Sequence, residues 1–292
     1  MRSLLIFLLV FIAALFLGAL LTYPLHLLLS PFFTYEYNDL TIRTTQLTGL
    51  VFSLCYLHYS DRLALDTLGL KTQPGKTLTD FGYGLLSGLL ILAVLAIALY
   101  GLGIYGTNQF HEFTTGPVVT TLLTGLLSGI AVGLFEETLF RGALLQGLRK
   151  QAGMNNAVLI ISLLYAAVHF IDYPKTDTAT TINWLTAPGQ FLAAYANVFS
   201  TTTLDAFLSL FMLGLLLAFV RIHKGNIIQC IGLHAGLVTG IKLFRFFAEY
   251  KPDNSWAFLV SRYDYRLGWL ALLWLTLVTA AYFIYLHRRP AK

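Results

Sequence analysis

Apolar residues in this chain run in long unbroken blocks, not in the one-sided stripe of a soluble helix. A helix that crosses a bilayer needs about 20 mostly apolar residues. Eight blocks meet or approach that length: 4–29, 43–59, 81–105, 117–148, 154–172, 204–222, 226–248 and 267–287. The second is short. The fourth is too long for the hydrocarbon layer and should protrude from it. The segment 173–203 breaks the pattern. It opens with "YPKTDTATTINWLTAPGQ", rich in Thr with two prolines, and continues mildly apolar. It reads as an external loop with an interfacial or re-entrant piece near Trp184 to Phe199, and loops this long are often functional. The pattern predicts an all-α fold, a polytopic membrane helix bundle of about eight transmembrane helices. It forms a single integral-membrane domain over 1–292, with no internal repeat.

Composition agrees. Of 292 residues 57% are hydrophobic and 11% charged, where a soluble domain has about 25% charged. Mean hydropathy is +0.71. The opening "MRSLLIFLLVFIAALFLGALL" exceeds the ~7–15 residues of a signal-peptide core and lacks a small-x-small cleavage site, so it reads as a retained first span. Cys55 and Cys230 lie in separate apolar blocks and imply neither a disulfide framework nor a metal pair. The net charge of +5 points to loops facing anionic membrane lipid and not to nucleic acid.

Lys and Arg positions set the orientation. With the N-terminus inside, eleven cations are cytoplasmic: Arg2, Arg62, Lys71, Lys76, Arg149, Lys150, Arg221, Lys224, Arg288, Arg289 and Lys292. Seven are external: Arg43, Lys175, Lys242, Arg245, Lys251, Arg262 and Arg266. Arg141, inside the membrane, completes the 19. Both termini are therefore expected in the cytoplasm, although five of the seven external cations crowd the last external loop.

The stretch "GLFEETLFRGALLQGLRK" places Glu136, Glu137 and Arg141 at the end of a run, 113–135, that holds no ionisable residue. Each such charge costs roughly 2.5–3.5 kcal/mol at the bilayer centre. On a helix Glu137 and Arg141 are i and i+4, the better order for an ion pair. Glu136 is turned about 100° away. One carboxylate is thus paired and one left free, and a free carboxylate in low dielectric can serve as a general base. The next block holds His169. The hairpin between the two centres near Gly153, with Glu136 and His169 almost equally far from it. At ~1.5 Å rise per residue they reach the same depth, roughly 20 Å or more from the turn. His234, flanked by Gly232 and Gly236 in "CIGLHAGLVTGIK", counts to about 12 Å from its own end. It needs a tilt or a broken helix start to join them.

"EETLFRG" matches the EExxxR motif of the CPBP intramembrane proteases, the group of the CAAX prenyl endopeptidases and the bacterial Abi proteins. "YAAVH" is similar to that family's FxxxH motif and "HAGLV" to its HxxxN motif, in the same order. The resemblance covers roughly 117–248, which it marks as the catalytic core. It implies a bacterial inner-membrane protein that hydrolyses a membrane protein or a lipidated peptide. It implies that Glu136 and His169 act on water, that Glu137 and Arg141 support the helices, and that His234 helps to hold the oxyanion. Tyr165 stands for the usual Phe, and Val238 for the usual Asn, which removes one hydrogen-bond donor.

Glu136, His169 and His234 could also be metal ligands, since a glutamate with two histidines is a zinc set with a position open for water. The spacing is not the HExxH of soluble zincins. A metal-free dyad would use the same residues, so Zn2+ stays open at this point. Two other classes share these features. A proton-coupled transporter also buries Glu, Arg and His, but it would more often show related halves. A catalytically silent relative, acting as an immunity or binding protein, would fit Val238.

Overall fold

The computed structural model describes residues 2–59, 65–73, 75–108, 114–176 and 181–288. Their helices are α1 (Arg2–Leu29), α2 (Tyr37–Tyr59), α3 (Leu65–Leu68), α4 (Lys76–Gly101), α5 (Thr115–Glu137), α6 (Leu145–Ala152), α7 (Met154–Val168), α8 (Thr186–Gly189), α9 (Leu204–Lys224), α10 (Ile228–Phe247) and α11 (Trp269–Arg288). A π-helical segment, Thr138–Leu144, joins α5 to α6 without a break. The fold is an all-α membrane bundle.

Each of the eight apolar blocks holds a helix, but among the described residues six helices are long and apolar enough to cross a membrane. The count of about eight is therefore approximate. α2 carries Asn38, Asp39, Arg43 and several threonines. Thr41, Thr44, Thr45 and Thr48 return their hydroxyls to carbonyls four residues back, which satisfies them inside the helix. α7 has only 15 residues and stops at Val168, short of the expected 172.

α10 is the centre of packing, with α4 on one side and α5 on another. Small residues make this possible. Gly84 and Gly88 of α4 meet Gly232 and Gly236 of α10, and a Cβ on any of the four would strike partner backbone. On α5, Gly125, Gly129 and Gly133 form a buried stripe at four-residue spacing. A Cβ on Gly129 would lie 2.8 Å from Ala235 Cα, and one on Gly133 would lie 3.1 Å from His234 Cβ. Close backbone approach is the usual way helices associate without a hydrophobic driving force. α7 packs on α9 and α6, and α9 on α11.

Two features were not expected. Tyr105–Thr107 pairs with Ala248–Tyr250 in a short antiparallel ribbon that ties the ends of α4 and α10. The loop after α7 is folded over its described residues: α8 and the 3-10 turn Ala193–Phe199 bury Ala187, Phe191 and Ala194 in a cluster that also holds Leu15 and Ala19 of α1. It neither spans nor dips as a long helix. Residues 177–180 lie outside the described residues.

Candidate active site

The stripe of glycines on α5 sets the site. It brings α5 against α10 at Gly133 and His234, so the next turn of α5 delivers its two glutamates to that histidine. Glu137 is sealed: its side chain is 0% exposed. Its Oε1 accepts from Arg141 Nη1 at 3.2 Å and lies 3.3 Å from His234 Nδ1. Arg141 is equally buried. It also donates Nη2 to the Gly214 carbonyl on α9 at 3.3 Å and lies 4.2 Å above the Tyr165 ring. One cation thus links α5, α7 and α9 through three kinds of contact.

Glu136 differs. Its side chain is 18% exposed, and Oε2 stands 3.9 Å from His169 Nε2 and 3.9 Å from His234 Nδ1. That oxygen is buried without a hydrogen-bond partner. His169 closes the C-terminal end of α7. Its Nδ1 is 2.7 Å from the Tyr165 carbonyl. A carbonyl only accepts, so Nδ1 carries the proton, and in the neutral ring the Nε2 lone pair faces Glu136. The His169 ring leans on the Tyr165 ring at 4.5 Å between centroids.

All five residues singled out in the sequence meet. The shallower count for His234 is corrected: it contacts both glutamates. Counting rise from two separate turns assumes straight helices and turns at one level. The π-helical segment, with its i→i+5 bonds, packs more residues into each turn and shortens the path from the hairpin. Val238 lies one turn beyond His234, against Gly129 of α5. Thr239 is engaged elsewhere, donating to the Ala235 carbonyl at 2.7 Å.

Three supports carried no flag in the sequence. The Gly214 carbonyl anchors Arg141. Arg221 donates Nε to the Arg141 carbonyl at 3.3 Å. Tyr263, on the loop before α11, donates its hydroxyl to the His169 carbonyl at 3.4 Å. Burial, with Asp172 and Asp264 nearby, pushes the Tyr263 phenol above its usual range, so it remains a donor at neutral pH.

The donor types suit zinc, and the atoms stand somewhat wider apart than zinc ligands do. Ligand atoms on a tetrahedral zinc lie roughly 3.4 Å apart, given bonds of about 2.1 Å. Here both Glu136 separations are 3.9 Å, and His234 Nδ1 is nearer Glu137. Among the described residues no group of three or more His, Cys, Asp or Glu is gathered as a metal set.

The helices that build this site match a family model. Residues 118–239 fit the family described as Rce1-like, type II CAAX prenyl endopeptidase. This segment is similar to that family. No curated protein and no solved structure matches the chain. The Rce1-like segment runs from α5 to α10 and contains Glu136, Glu137, Arg141, His169, His234 and Val238. Together, the family and the apolar helices make this an integral membrane protein.

Proposed function

We propose that the chain is an intramembrane endopeptidase that hydrolyses a peptide bond of a membrane-associated or lipid-modified substrate. Glu136 and His169 activate the water. The observation that carries the reading is Glu136 Oε2, buried and without a partner, 3.9 Å from a nitrogen of each histidine. That distance is too long for a hydrogen bond and leaves room for a bridging water. Glu136 takes a proton from this water as its oxygen bonds to the scissile carbonyl carbon. The His169 Nε2 lone pair orients the second hydrogen. When the C–N bond breaks, Glu136 returns the proton to the leaving amine.

Glu137 and Arg141 hold the helices and stay out of the chemistry. His234, as an imidazolium balanced by Glu137 at 3.3 Å, donates its Nε2–H to the oxyanion. The reaction needs no metal in this reading, because the separations suit water better than an ion. Charge bias along the chain supports both termini at the cytoplasmic face of the membrane.

The test uses purified protein in proteoliposomes with two membrane-anchored peptides, one prenylated and one not, and product masses read out. Cleavage by wild type is expected, with a loss of ~10²-fold or more in His169→Ala and no effect of a zinc chelator. A well-folded wild type that cleaves neither peptide contradicts the reading. Loss on chelation with recovery on added Zn2+ would move the mechanism to a metal.

A further inference from the structure

We propose that the hairpin end of the bundle binds the phosphate headgroup of an anionic phospholipid, with Arg221 as its anchor. Arg221 lies in the last turn of α9 and is only 5% exposed. Among the described residues no carboxylate comes within ion-pair distance of it. Gly69, at φ +76°, makes room for it: a Cβ there would lie 2.7 Å from Nη2. The side chain lines a cavity of about 330 Å³ together with Arg149 and Gln146, and the walls are Leu145, Met154 and Ile222. A second cavity, of about 380 Å³, adjoins it at Gly225 and receives Lys71, Lys76 and Lys224. Lys71 pairs with Asp66 at 3.3 Å, and the one acid lining the cavity, Asp80, is engaged by Lys224 at 3.6 Å and by Asn226 at 3.1 Å, which leaves Lys76 beside the two arginines.

A buried arginine facing a second arginine without a counter-charge is costly unless an anion completes it. The guanidinium fork matches a phosphodiester. The apolar walls select the source. The ends of α6 and α9 and the starts of α4, α7 and α10 all lie at this end, so it sits where headgroups lie. Ile222 is 38% exposed and continues the cavity toward hydrocarbon. A soluble anion would use the charges and leave that wall empty. The carbonyl that Arg221 holds is Arg141's, so a bound headgroup also braces the segment behind Glu137.

The experiment measures association of spin-labelled lipid with the purified protein in phosphatidylcholine vesicles, comparing labelled phosphatidylglycerol with labelled phosphatidylcholine. Phosphatidylglycerol should be preferred by wild type. Arg149→Gln and Arg221→Gln should each weaken that preference about five-fold, the effect of one charge at the surface. Lys242→Gln and Arg262→Gln, at the opposite end, should leave it unchanged. Millimolar inorganic phosphate should not displace the lipid. Equal association of the two lipids, insensitivity to both arginine variants, or displacement by phosphate would each overturn the proposal. Arg149 is exposed, so its variant carries the test should Arg221→Gln fail to fold. This test is independent of peptide hydrolysis.

Discussion

At the scale of single residues, two adjacent carboxylates meet different surroundings. Glu137 is fully buried, with Oε1 bonded to Arg141 and close to His234, while Glu136 is 18% exposed and stands between the two histidines. Arg141→Ala would strand Glu137 as a buried charge, a loss of about 3–5 kcal/mol. Unfolding in detergent should show that loss, and unchanged stability would mean that the ion pair is not structural. Val238→Asn should restore a donor beside His234. One such donor is worth ~10²–10³ in rate, so steady-state turnover should rise measurably. Equal or lower turnover in a well-folded variant would show that this position is no vacant donor. The five charged or titratable residues were legible because ionisable groups stand out in an apolar run. Tyr263 was not, being one of 16 tyrosines with nothing to single it out. The Gly214 carbonyl could not be, since every residue has one.

At the scale of helices, the glycine stripe on α5 fixes the distance between Glu137 and His234. Gly129→Ala would place a Cβ 2.8 Å from Ala235 Cα and push α5 from α10. A displacement near 1 Å costs roughly 10²-fold. The account expects kcat to fall far more than KM rises. Gly116→Ala, whose Cβ meets open space, should change neither. Similar kinetics for the two variants would remove the stripe from the account. The apolar blocks located the helices well. They misjudged α7, because a helix end made by a histidine bonding its own last turn looks like any other apolar residue run. They also missed the π-helical segment, whose extra residue per turn has no compositional sign. The loop at 173–203 was recognised as non-spanning, but its packing against α1 depends on contacts far apart in sequence.

At the scale of the whole molecule, composition alone placed the chain in a membrane. It did not give the order of packing, in which α10 lies between α4 and α5. Only the paired glycines hint at that. Within this bundle the central claim is that Glu136, and not its neighbour, activates the attacking water. The most direct measurement is the single-turnover cleavage rate of Glu136→Gln beside wild type and Glu137→Gln, on one membrane-anchored peptide, with folded protein quantified for each. The account predicts that Glu136→Gln folds normally and loses at least ~10²–10⁴-fold in rate. Glu137→Gln should instead lose mainly folded protein. Near-normal turnover by folded Glu136→Gln would contradict it.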